Sequence, residues 1–128
     1  MIDHVSIPLR DLAAGSAFYE RVLGPLGYLK LVERPSTIGF GKSYPEFWLN
    51  LRAELTPAGP EAGAHVCLRA PSEEAVRAFH AAALAQGGAS AGEPGPRQAA
   101  MTSYYGAFIR DQDGNKIEAV AFPRGPRS

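Results

Sequence analysis

The sequence predicts an α+β fold built from two copies of a βαβββ unit, and three observations predict it. His4-Val5 recurs as His65-Val66, and the same offset pairs Ala14 with Ala75, Ala17 with Ala78, Phe18 with Phe79, Leu23 with Leu84 and Gly27 with Gly88. Each half opens on an alternating, β-rich run and then passes into apolar residues at helical spacing. Between the halves, residues 54–63 (ELTPAGPEAG) are rich in Pro, Gly and Ala, lack periodicity and fall where the offset requires a joint. A chain of 128 residues is long enough for one ordinary core and too short for two independent ones. Both copies therefore share one domain across residues 1–128, with module one at 1–53, the linker at 54–63 and module two at 64–123.

In module one, residues 2–9 alternate as a strand. Asp11 then opens a helix, its carboxylate placed to accept from first-turn amides, and Leu12, Phe18, Tyr19 and Val22 follow at helical spacing until Gly24-Pro25 offers an exit. Three short runs follow at 28–33, 37–41 and 46–52. Pro35-Ser36 and Ser43-Tyr44-Pro45 separate them, which reads as a three-stranded meander. Module two repeats the plan with a strand over 64–70, an acidic first turn at Glu73-Glu74, and a helical face of Ala75, Val76, Phe79 and Ala83 that stops at Gly87-Gly88. Glycines and prolines interrupt residues 89–100, where the sixth strand belongs. Strands over 104–110 and 116–122 flank residues 111–115, whose Asp-Gly step is a hairpin signal, and the tail 123–128 has no pattern.

Thirteen basic and thirteen acidic residues leave a formal net charge of zero, which removes the electrostatic case for nucleic acid or an anionic membrane surface as partner. The expected partner is a small molecule or a second copy of the chain. Cys67 is the lone cysteine, so no intrachain disulfide forms. The opening MIDHVSIPL lacks a basic n-region and an apolar stretch of spanning length, from which a cytoplasmic protein is expected.

Strand alternation sorts the side chains into faces. Val5, Ile7 and Leu9, like Val66, Leu68 and Ala70, form apolar stripes suited to helix packing. His4, Ser6 and Pro8, and likewise His65, Cys67 and Arg69, lie on the opposite face. In the last strand of each unit, Glu46, Trp48, Asn50 and Arg52 separate from Phe47, Leu49 and Leu51, and Lys116, Glu118 and Val120 separate from Ile117, Ala119 and Ala121. If the mixed faces curve together, His4, His65, Glu118 and Trp48 look into one concavity. Neutral imidazoles with a carboxylate suit a divalent cation.

HVSI and AFYERVLGPLGY in the first half, HVCL in the second and the ending RDQDGNKIEAV make the chain resemble the vicinal oxygen chelate superfamily. That superfamily includes glyoxalase I, bleomycin resistance proteins, fosfomycin-modifying enzymes and extradiol dioxygenases. The resemblance implies an open, cup-shaped mixed sheet with the helices packed outside and the ligand and metal within. It implies metal positions at His4, Trp48, His65 and Glu118. Trp48 cannot serve, so the implied ligands are His4, His65 and Glu118, open to Fe, Mn, Ni or Zn and acting as a Lewis acid.

A glutamate usually stands at the Trp48 position in glyoxalase I, so the two-histidine, one-glutamate set is nearer to extradiol dioxygenases and fosfomycin transferases. The only other histidine, His80, lies on the second helix and faces away. The expectation is a metal-dependent lyase, isomerase, transferase or dioxygenase. Glu118 and Tyr105 are its catalytic candidates, and Trp48, Ser6, Arg69, Arg52 and Asn50 its substrate contacts. Homodimers are expected from the same resemblance. The alternative is a metal-free binding module of the bleomycin-resistance type, in which Trp48, Tyr104 and Tyr105 stack on an aromatic cation.

Overall fold

A computed structural model describes residues 1–57, 59, 62–98 and 101–123. The first unit runs β1 (Val5–Leu9), α1 (Leu12–Leu23), β2 (Leu29–Glu33), β3 (Thr37–Gly41) and β4 (Pro45–Leu51). The second runs β5 (Val66–Arg69), α2 (Glu73–Ala85), β6 (Ala89–Gln98), β7 (Ser103–Arg110) and β8 (Lys116–Ala121). Both units are βαβββ, and the fold is α+β. The patternless tail read at 123–128 lies outside the described residues apart from its first residue, as do parts of the linker and of the 89–100 segment.

The strands form two open four-stranded sheets, ordered β1-β4-β3-β2 and β5-β8-β7-β6. In each, the first strand pairs parallel with the last and the other pairings are antiparallel. A parallel pair needs a long crossover, and the helix with the two strands after it supplies it. Asp11 caps α1 by accepting from the Ala14 amide at 3.0 Å, and Ser72 caps α2 by accepting from Ala75 at 3.1 Å. α1 ends at Leu23, where Gly24-Pro25 predicts, and Gly24 keeps right-handed helical angles to open a 3-10 turn over Gly24–Leu26, after which Gly27 takes the left-handed conformation at φ 91°. Pro25 fits the start of such a turn because it has no amide hydrogen to place.

The 89–100 segment forms a strand as far as Gln98 despite Pro94 and Pro96. Being the sheet edge, β6 needs ladder donors on one side only, and register shifts near Ser90, Gly92 and Gly95 take up the irregularity.

One hydrophobic core unites the units. Ile7, Leu9, Phe47 and Leu49 from the first sheet join Leu68, Ala107, Ile109, Ile117 and Ala119 from the second, with Phe18, Tyr19 and Val22 of α1 and Val76 and Phe79 of α2. The helices also pack against each other. Polar bonds lock the same junction: Arg10 Nε donates to Asp113 Oδ1 at 2.6 Å, Tyr19 donates its hydroxyl to Asp111 Oδ2 at 2.6 Å, and Asn115 Nδ2 donates to the Pro8 carbonyl at 2.9 Å. Asp111 Oδ1 also accepts the amides of Asp113 and Asn115, which shapes the turn that reaches across.

Candidate functional site

With the helices on one face of each sheet, the opposite faces carry the exposed chemistry. On the second sheet, Cys67 pairs in register with Glu118 and Glu118 with Phe108, so the three share that open face. Glu118 is its centre. Its side chain is only 5% exposed, His65 Nε2 lies 3.1 Å from Oε1, and the Tyr104 hydroxyl donates to Oε2 at 3.1 Å. The imidazole donates in its Nε2–H tautomer. Cys67 also hydrogen-bonds the carboxylate, and its thiol is pushed up to about 12, first by burial and then by the charge of Glu118. A thiol so held is a donor and not a nucleophile. Tyr104 is likewise raised, by burial first and then by Glu118, which keeps the phenol protonated.

Around this cluster stand aromatic rings and cations. Phe108 meets His65 edge-on at 5.6 Å, with Lys116 Nζ 4.8 Å and Arg97 Cζ 5.8 Å from its centroid. Arg69 Cζ lies 4.6 Å from the Phe122 ring, and Tyr104 packs against Phe122 at 5.9 Å.

The phenol beside Glu118 is Tyr104, not Tyr105. Tyr105 shares parity with Ala107 and Ile109, which are fully buried in the core, so it points to the helix side and meets Arg77 of α2. The hairpin register contains the signal for this: Arg110 opposes Lys116, which sets Phe108 opposite Glu118 and puts 104, 106 and 108 on its face. The sequence does not single out Phe108, Phe122 and Arg97.

His4 does not join His65 and Glu118. It precedes β1, is exposed, and turns Nδ1 toward Asp3 Oδ1 at 2.7 Å, while Asp3 also accepts from Tyr44. Among the described residues no group of three His, Cys, Asp or Glu side chains is placed to hold a metal ion. The chain alone thus pairs two of the three expected ligands.

The remaining candidates occupy the first sheet. Ser6 opposes Trp48 and Pro8 opposes Asn50. Trp48 is half-buried, its ring lying over Gly39 with Arg34 5.9 Å away, and Arg52 donates back to the Leu51 carbonyl at 2.8 Å. Edges β1 and β5 do not hydrogen-bond; a cleft of about 220 Å³ lined by Ser6, Pro8, Ala64, His65, Asn115 and Lys116 lies between them. His80 is buried in α2 with Nε2 2.8 Å from Ser90 Oγ. No helix among the described residues is long and apolar enough to cross a membrane.

Residues 1–119 match the model of the Glyoxalase/Bleomycin resistance protein/Dioxygenase superfamily. A solved glyoxalase/bleomycin resistance protein from Albidiferax ferrireducens is 35% identical, with a TM-score of 0.82 over 93% of this chain and 97% of that one. A glyoxalase/bleomycin resistance protein/dioxygenase family enzyme from Burkholderia phytofirmans is 20% identical, with a TM-score of 0.70 over 95% and 98%. The genomically encoded fosfomycin resistance protein FosX from Listeria monocytogenes is 15% identical, with a TM-score of 0.68 over 96% and 93%. The last two share the fold. No curated protein matches the sequence.

Proposed function

The chain belongs to the glyoxalase/bleomycin resistance protein/dioxygenase superfamily, and from that premise we propose that it transforms a small molecule held on the open face of the second sheet, with Glu118 moving a proton. One observation carries this reading. A carboxylate almost withdrawn from water sits between His65 and Tyr104 on a face otherwise open to ligand. Donors on both oxygens fix its orientation, and a fixed carboxylate abstracts a proton from an acidic C–H or O–H more readily than a mobile one. Tyr104, kept protonated, then supplies a hydrogen bond to negative charge developing on the ligand.

Glu118→Gln keeps the shape and removes the base. Ligands found by thermal shift will still bind this variant, while conversion read by mass spectrometry falls by about 10²–10⁴-fold. Conversion at the native rate in the variant overturns the proposal. Binding without conversion in the native protein instead identifies a metal-free binding module.

A second reading, a divalent-metal enzyme acting through a Lewis acid, is favoured by the adjacency of His65 Nε2 and Glu118 Oε1. The donors within one chain do not complete that site, since His4 is turned to Asp3. On this reading His4 comes from the second copy of a homodimer. Metal analysis of the same purified protein decides it: a stoichiometric Fe, Mn, Ni or Zn ion lost in Glu118→Gln supports the metal, and none in either sample rejects it.

A further inference from the structure

We infer that the ligand of the second sheet is a small organic anion with a planar apolar body. The inference rests on the reading that this open face is the binding face. Among the described residues Arg69, Arg97 and Lys116 stand there beside the carboxylate of Glu118, in a chain whose formal net charge is zero. Among the described residues none of the three forms an ion pair with a carboxylate. Each lies against an aromatic ring instead: Arg69 on Phe122, and Arg97 and Lys116 on Phe108.

A ring holds a cation in place without cancelling its charge, so the field of all three remains available to a ligand. Arg97 is the most constrained. Its Nη2 donates to the Glu93 carbonyl at 2.5 Å, while its Nε is shut away from solvent with no hydrogen-bond partner among the described residues. A buried N–H left without an acceptor is costly, and an acceptor oxygen on an adjacent anion offsets that cost. Phe108 and Phe122 are half-buried and supply the apolar surface for the ligand body. The chemistry that fits is an aryl or otherwise unsaturated carboxylate or phosphonate, its head toward the cations and its plane against the rings. The cations on the face disfavour a cationic aromatic, the ligand of the alternative binding module.

Phenylphosphonate, benzyl alcohol and benzylamine separate charge from shape in isothermal titration. Phenylphosphonate binds, binding weakens with added salt, and the neutral and cationic probes do not bind measurably. Arg97→Gln and Lys116→Gln, each checked for native circular dichroism, weaken phenylphosphonate about tenfold. Glu118→Gln retains or strengthens that binding, because it removes a like charge from the face. Failure of phenylphosphonate to bind, equal binding of benzylamine, or unchanged affinity in both cation variants overturns the inference. These outcomes are independent of conversion by Glu118→Gln, which tests the proton-transfer reading alone.

Discussion

Tyr19 is fully buried, and among the described residues its hydroxyl is satisfied by Asp111 Oδ2 alone, across the junction of the two units. Tyr19→Phe removes that bond while leaving Asn115 Nδ2 on the same oxygen, so it destabilises the protein by about 1.5–3 kcal/mol in urea unfolding near neutral pH. The sign of its pH dependence follows from its surroundings. Burial first, then the charge of Asp111, hold the phenol well above its ordinary value of 10.0. Unfolding returns it to that value, so its stabilisation is complete below about pH 10 and is lost as pH rises from there toward the folded value. Tyr19→Phe unfolds with a shallower alkaline dependence; equal slopes in the two proteins refute the assignment. At this scale the sequence revealed His65 and Glu118 through the repeat and the final motif. It misplaced the phenol because alternation leaves two choices, and the choice made was the one in phase with Ala107 and Ile109, which the core claims. It also gave no sign that Asp3, next in sequence, takes His4 away from the other two groups.

Elements were legible where periodicity was strong and turn chemistry simple. The offset repeat and the apolar stripes yielded both helices and most strands. The end of α1 was legible in Gly24-Pro25, and only the 3-10 turn that carries the chain on through Leu26 went unread. β6 was obscured by prolines that an edge strand tolerates. Hairpin β3-β4 illustrates a constraint that no residue pattern announces. A side chain at Gly41 would place its first carbon 1.8 Å from the Tyr44 carbonyl oxygen, a rigid backbone atom. Gly41→Ala will therefore force the hairpin apart and cost about 3 kcal/mol, the upper part of the range for overpacking. It will appear as a lower urea midpoint at an unchanged slope, and a midpoint equal to that of the native protein contradicts the close approach.

For the whole molecule, the repeat foretold two βαβββ units sharing one domain, and in the structure each unit brings its own four-stranded sheet to one core. How the two open faces stand to each other was beyond reach, since nothing in a strand pattern says whether neighbouring edges will pair. Here β1 and β5 leave a cleft between them. Because α1, α2 and both sheets feed one core, the units will melt together. Near- and far-ultraviolet circular dichroism should trace one superimposable transition, whereas two separated midpoints would mean that the halves hold themselves up independently.

The turn at 111–115 has a further consequence for biosynthesis. Its partners Arg10, Tyr19 and Pro8 precede it by 103, 92 and 107 positions. On the ribosome the amino-terminal half must therefore wait, its inner surface uncapped, until residues 111–115 have been translated. Chaperone occupancy on nascent chains should persist through that interval and drop once the late hairpin clears the exit tunnel.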